Sequence, residues 1–420
     1  MKTLYRSEKP AVLALTGLTG LNEVSQEAVE AANPSTTWRC FSSFQDAEKT
    51  WRSLEQDATG SVYQRYDWCK CWFDVFSTYR AIKPVIVVAS VGTKVSLLLP
   101  LYIQSGRAGV KVARFMGDDH ANLRVPLLTN RGLERLYILR LAKQRELFTT
   151  LGQFLRNQRD VDFVDLSSMP AQLDGNVNPL AHISAKSSEI LFFSGRLDPD
   201  FERLKAARRP TKSQRKTRRN IKQLERHGAL SFEQVRDPSA LNAILDLFFE
   251  QKSGRLTKAG VRSAFELEAN QTFLRQLASA SLAQNNQTLE LYVLKVGDQP
   301  VAIAGGGRFN DRFSMGINSM TANRTYAMHG PGRISVDTAV EWFCRQGVAS
   351  FDLGLGENEY KHVWCDPVPL VDVVFHVTGR GLAYRCLAAT KRVAIRTVRK
   401  SPLLLQLAQR IRLELQRVRA

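Results

Sequence analysis

Six cysteines are spread over 420 residues, and no two of them form a C-x-x-C pair. That spacing excludes the usual zinc ribbons and fingers, and the lack of a dense cysteine framework fits a reducing compartment. His362 and Cys365 lie three apart with no third or fourth ligand close by in sequence, so no metal is expected. The chain also lacks any apolar run long enough to span a bilayer. The short apolar stretch from Ala11 to Leu18 is flanked by Pro10, interrupted by Gly17 and followed by no cleavage pattern, which is unlike a secretory signal. No Gly-Lys-Ser/Thr follows a glycine loop, so P-loop chemistry is excluded. No Ser-His-Asp or Cys-His grouping is legible, which leaves hydrolase chemistry without support. The expected location is cytoplasmic.

Acid is scarce in two places. Between Lys205 and Arg226 ten bases face one acid, Glu225, and from Arg380 to the end eleven bases face one acid, Glu414. Outside these segments acids and bases balance, so the net charge of +19 resides entirely in them and the search for anionic partners narrows to the same two places. A content of 44% hydrophobic and 24% charged residues is that of a folded globular protein. The length exceeds one ordinary core, so two domains are the default.

Periodicity then divides the chain. Residues 1–37 read as a flexible leader. Helical patterns with aromatic faces cover Phe44 to Ala58 and Gln64 to Tyr79. Two β runs, Val85 to Val91 and Val95 to Ile103, form a hairpin about Gly92-Thr93-Lys94. A third strand runs from Val110 to Met116, a long helix from Leu139 to Asn157, and a short strand from Asp162 to Leu166. The second half repeats the order. A helix covers Ser239 to Gln251, a hairpin Leu289 to Val296 and Pro300 to Phe309, a third strand Arg312 to Ser319, a helix Gly332 to Gln346, and a short strand leads to Leu353. Two copies of one α/β unit account for this, with one basic helix from Phe201 to Arg226 between them.

Two segments of the second copy carry chemistry. Phe351-Asp352-Leu353-Gly354-Leu355-Gly356 is a strand ending in glycines, followed by Glu357, Glu359, Tyr360, Lys361, His362 and Trp364. A strand end crowded with ionisable groups suits a ligand site, and equally suits a solvated turn before a helix. His329-Gly330-Pro331-Gly332-Arg333 precedes a helix, where the amides of Gly330, Gly332, Arg333 and Ile334 could cradle a phosphate; Gly-Pro-Gly also makes ordinary turns. Gly305-Gly306-Gly307 inside a strand marks either a bulge or the close approach of a ligand.

With these elements in this order, the chain resembles the acetyltransferases of the GNAT superfamily, most of all the CelD/BcsL branch associated with cellulose and polysaccharide biosynthesis. The basic helix, the strands through Gly307 and Met315, Tyr326, the Gly330-Pro331-Gly332 turn, Asp352 and the Gly-x-Glu-x-x-Tyr-Lys-x-x-Trp box from Gly356 carry the resemblance. It departs at Ala327, where the superfamily's acyl-CoA loop usually has Gln or Arg. The tandem arrangement also resembles Fem-type transferases, which take aminoacyl groups from tRNA.

The resemblance implies an α/β (α+β) fold of two tandem GNAT-like domains, each a mixed, mostly antiparallel sheet flanked by helices. The expected division is a degenerate domain over 38–195, a basic connecting helix over 196–230, an acyltransferase domain over 231–378 and a basic amphipathic helical tail over 379–420. It implies acetyl-CoA or another acyl-CoA as co-substrate, held by Met328, His329, Gly330, Gly332, Arg333 and Ile334, with direct transfer to an amine. Glu357 is the expected base and Asp352 the alternative, with burial raising the carboxyl pKa; Glu357 could equally cap the following helix. Tyr360 protonates the leaving thiolate or packs. Lys361 orients an anionic substrate or is exposed, and Trp364 contacts substrate or, preferentially, packs. Arg215, Arg218 and Arg219 are assigned to the phosphates of an amino-sugar or nucleotide-sugar acceptor, ahead of tRNA because aromatic interleaving is absent. The C-terminal segment either lies peripherally on an anionic membrane at its inner face or packs with its arginines exposed. An aminoacyl-tRNA-dependent transferase and a non-catalytic subunit of a polysaccharide-synthesis complex are the alternative functions.

Overall fold

The computed structural model describes residues 35–106, 109–157, 161–182, 186–258, 264–387 and 390. Most of the expected leader and of the basic tail lies outside the described residues.

The first half comprises β1 (Thr36–Phe41), α1 (Phe44–Glu55), β2 (Ala58–Thr59), α2 (Tyr66–Tyr79), β3 (Ile82–Val91), β4 (Lys94–Ser105), β5 (Lys111–Phe115), β6 (Leu127–Thr129), α3 (Gly132–Lys143), α4 (Glu146–Asn157), β7 (Phe163–Pro170), the short pair β8 (Gln172–Leu173) and β9 (Asn176–Val177), and β10 (Lys186–Arg196). The second half comprises α5 (Phe201–Arg208), α6 (Thr211–Glu225), β11 (Leu230–Gln234), α7 (Pro238–Lys258), α8 (Glu268–Gln284), β12 (Glu290–Val296), β13 (Gln299–Phe309), β14 (Arg312–Met320), α9 (Arg324–Ala327), α10 (Pro331–Arg345), β15 (Ser350–Leu355) and β16 (Asp366–His376).

The repeat is real in three dimensions. In each half an antiparallel hairpin (β3–β4 and β12–β13) continues into a third antiparallel strand, β5 or β14. That strand then pairs in parallel with the strand after the helix, over three residues only: Val112 to Arg114 against Phe163 to Asp165, and Arg312 to Ser314 against Ser350 to Asp352. Beyond those three pairs the parallel strands part. The hairpin turns fall where the left-handed backbone needs glycine, at Gly92 and Gly297 with φ of 59° and 57°.

The two halves are not beads on a string. β16, from the end of the second half, pairs with β7 of the first on one side and with β10 on the other; β10 in turn pairs with β15. One continuous 14-stranded sheet results. A shared apolar core reinforces it: Trp68, Trp72 and Phe76 of α2 cluster with Phe273, Leu274 and Leu277 of α8.

Two expected helices are each two. The basic segment breaks at Pro210, which cannot donate a backbone hydrogen bond and holds Arg209 extended at φ −122°, ψ 121°. The helix expected from Leu139 to Asn157 breaks between α3 and α4, where Arg145 takes a φ of 63°.

Candidate active site

The opening between β14 and β15 is built by a bulge. Gly305 faces Ile317 and Gly306 faces Met315, so Gly316 is the extra residue on β14. This settles the glycine run on its structural reading. A Cβ on Gly306 would sit 2.1 Å from the Ser314 carbonyl oxygen, and one on Gly307 2.2 Å from that of Thr288. Backbone, not a ligand, crowds these positions.

Below the opening, Asp352 is buried and consumed. Its carboxylate pairs with the Arg312 guanidinium and accepts from Ser314 Oγ at 2.7 Å. Arg312 also donates to Ser194 Oγ at 3.2 Å and to Asp174 Oδ2 at 3.2 Å, and Ser350 Oγ donates to Asp174 Oδ1 at 2.7 Å. Burial opposes the Arg312 charge, but Asp352 and Asp174 outweigh it and hold the guanidinium protonated. A carboxylate so engaged cannot take a proton from an amine; Asp352 positions the strand pair. Glu357 contradicts the expectation in the opposite way. Its side chain is 72% exposed rather than buried, with Oε1 3.6 Å from His362 Nε2.

Lys361 is neither exposed nor free. Only 6% of it is accessible, and Nζ donates to the carbonyl oxygens of Leu355 at 2.7 Å, Gly356 at 2.9 Å and Gly354 at 3.4 Å. It clamps the C-terminal end of β15, and burial pushes its ammonium pKa down to about 8. Trp364 is buried, donating from Nε1 to Asp337 Oδ1 at 2.7 Å while Arg209 holds Asp337 Oδ2 at 2.8 Å. Trp364 therefore packs, as preferred from sequence. Tyr360 is half-buried against the same cluster as Phe193 and Trp364.

The Gly330 turn offers fewer free amides than its sequence suggests. Gly330, at φ 64°, is the N-cap of α10, and its N–H donates to the Ala327 carbonyl at 3.0 Å. Arg333 and Ile334 donate to the Gly330 carbonyl at 3.0 and 3.3 Å. Pro331 has no N–H, so among the described residues the Gly332 amide is left at the helix start, with the favourable dipole behind it. Met328 is 77% exposed beside it. The basic helix α6 packs against this turn: Asn220 Nδ2 donates to the His329 carbonyl at 3.0 Å and Arg333 to Ser213 Oγ at 3.1 Å. Arg215, Arg218 and Arg219 are exposed. They lie on the face opposite Ser213, Asn220 and Leu224.

Sequence reasoning missed what closes the opening from the other side. Tyr63 and Asn122, both of the first half, reach it. Asn122 Nδ2 donates to the Tyr63 hydroxyl at 3.1 Å. A Cβ on Gly316 would lie 3.5 Å from that hydroxyl, and one on Gly354 3.0 Å from the Asn122 amide group. Glycine at 316 and 354 was the available signal; nothing in sequence ties it to residues so distant. Among the described residues no cluster of His, Cys, Asp and Glu is placed to hold a metal, and no helix is long and apolar enough to cross a membrane.

Residues 211–362 match the family model described as an acetyltransferase (GNAT) domain, which indicates an acyltransferase; a domain of that kind implies acyl-CoA as co-substrate. No curated protein matches the chain. Among solved structures, that of FemX is similar at a TM-score of 0.53 and 8% identity, over 81% of this chain and 97% of that one, a likeness of fold. The C-terminal domain of a putative lysylphosphatidylglycerol synthetase from Agrobacterium fabrum aligns at TM-score 0.45 and 13% identity, over 83% and 96% of the two chains. A tandem GNAT protein from the clavulanic acid biosynthesis pathway aligns at 0.42 and 13%, over 82% and 99%.

Proposed function

We propose that the protein is an N-acyltransferase that delivers the acyl group of acetyl-CoA or a related thioester to the amine of an amino-sugar or nucleotide-sugar precursor, in surface or exopolysaccharide synthesis of the CelD/BcsL type. The observation that carries the reading is the parting of β14 and β15, whose parallel pairing ends at Ser314 and Asp352, in a half where the turn at Gly330 opens α10. An acyl chain entering there would meet glycine at both rims, Gly316 and Gly354. The phosphates of the donor would lie toward Gly332 and the start of α10. Asp352 is withdrawn from the role of base by its ion pair, so the proton acceptor is Glu357, alongside His362. Arg215, Arg218 and Arg219 are assigned to acceptor phosphates, since they project away from the donor turn.

The test is direct. The purified protein is titrated with acetyl-CoA in a calorimeter, and release of the CoA thiol is followed with glucosamine 1-phosphate and a UDP-linked amino sugar as acceptors. Saturable binding and acceptor-dependent thiol release support the reading. Absence of acetyl-CoA binding overturns the donor, and tight binding of charged tRNA in its place would select the Fem-like alternative.

A further inference from the structure

Tyr63 is an unusual residue to find at the acyl opening, because it comes from the other half of the chain. It is 4% exposed and sits in a single 3₁₀ turn, Val62–Gln64. That turn is rigidly built. Ser61 and Gln64 cap it reciprocally, and both are buried. Gln64 Nε2 donates to the Leu123 carbonyl at 2.9 Å, which ties the turn to the segment carrying Asn122. Trp51 Nε1 donates to the Gln64 carbonyl at 2.9 Å, and the Tyr63 ring meets Trp68 edge-on at 5.4 Å. The hydroxyl accepts from Asn122 Nδ2, which occupies a lone pair and orients the group. Among the described residues its own hydrogen has no acceptor, and the space it faces is the bulge at Gly316.

We infer that Tyr63 is a catalytic residue of the acyl transfer, its hydroxyl donating a hydrogen bond to the thioester held between β14 and β15. The inference rests on the acyl-CoA reading above. As the amine nitrogen bonds to the carbonyl carbon, negative charge grows on the thioester oxygen, and as the C–S bond breaks it moves to the sulfur. A fixed donor aimed at that position stabilises both stages without reorganising. The proton bound to the attacking nitrogen passes to the base and the thiolate takes one from solvent, so Tyr63 keeps its own. Burial is the first reason it does so: its pKa is raised well above that of a free phenol, with the Asn122 hydrogen bond opposing and Asp352 adding to the rise. The hydrogen bond from Asn122 also polarises the O–H and makes it a better donor.

Two compounds test this without relying on turnover. Acetyl-CoA carries the carbonyl, and S-ethyl-CoA lacks it. The wild-type protein is expected to prefer acetyl-CoA about tenfold in calorimetry, the worth of one net hydrogen bond, and Tyr63→Phe is expected to bind both equally. In the thiol-release assay Tyr63→Phe should lower kcat ~10²-fold and raise the acetyl-CoA KM by about the factor lost in calorimetric affinity. Asn122→Ala, which leaves the phenol in place but unoriented, should lower kcat in the same direction and serves if Tyr63→Phe does not fold. Retained preference for acetyl-CoA in the folded variant, or a lost preference with unchanged kcat, overturns the inference. If the wild-type protein binds neither compound, the donor reading falls and this inference with it. If it binds both with no preference, the donor reading stands and the inference alone is overturned.

Discussion

Lys361 shows how far a residue's neighbours decide its role. From sequence it is a base in a polar cluster; in the fold its ammonium group is spent on three carbonyls at the end of β15. Burial sets its pKa near 8, against 10.5 for an exposed lysine. Between those values the unfolded chain binds more protons than the folded one, so stability rises with pH across that window. The full cost of the buried charge is present below pH 8. Urea midpoints measured from pH 7.5 to 10 are expected to rise in the wild-type protein relative to Lys361→Met, by on the order of 1–3 kcal/mol in unfolding free energy. A parallel pH dependence of the two proteins would show that Lys361 does not titrate there. Glu357 sits at the other extreme, exposed beside His362. Because it is the proposed base, Glu357→Gln should lower the rate ~10²–10⁴-fold, with acetyl-CoA affinity kept. A rate unchanged by the substitution assigns the proton to His362 or to water.

At the scale of elements, much was legible in the sequence, for a physical reason. Alternating apolar residues with glycine at the turns gave both hairpins, and a 3.6-residue period gave α1, α2 and α10 within a few residues. The failures were local conflicts. Pro210 divides α5 from α6 because it lacks an N–H and forces its neighbour extended, which outweighs the helical composition on either side. Helix α8 escaped notice because its buried side includes Asn270 and Ser281, which blur the apolar stripe. The strand from Lys186 to Arg196 is absent from the sequence reading altogether, and its partners β15 and β16 lie too far away in the chain for any local pattern to fix its register. The charge of α6 was plain in the sequence, but its packing was not. Ser213, Thr217, Asn220 and Leu224 face the body, so the exposed bases contribute nothing to the core. Changing Arg215, Arg218 and Arg219 together to Gln should leave the urea midpoint almost unmoved, within ~0.5 kcal/mol. It should raise the acceptor KM and keep acetyl-CoA affinity. Loss of acetyl-CoA affinity would transfer these bases to the donor's phosphates.

The whole molecule is organised by an exchange of strands that no local pattern predicts. β16 lies between β7 and β10, and β10 lies between β16 and β15, so each half is completed by the other's chain. The same exchange brings Tyr63 and Asn122 to Gly316 and Gly354, which places the proposed chemistry at the junction of the halves. Removing either half would expose the edges of β10 and β16 and uncover the apolar face that α2 shares with α8. The cost of such exposure scales with the area, at roughly 25 cal/mol per Å² of apolar surface. Neither half could meet it alone, because a single domain is stable by only about 5–15 kcal/mol in total. The two halves should therefore unfold together. In scanning calorimetry the full chain is expected to give one transition with equal calorimetric and van't Hoff enthalpies. A fragment of residues 231–378, which lacks both β7 and β10, should bind a hydrophobic dye and show no cooperative melting. Two resolved transitions in the full chain, or a cooperatively folded 231–378 fragment, would mean that the shared strands join two independently stable units. The first half would then be free to move at the acyl opening.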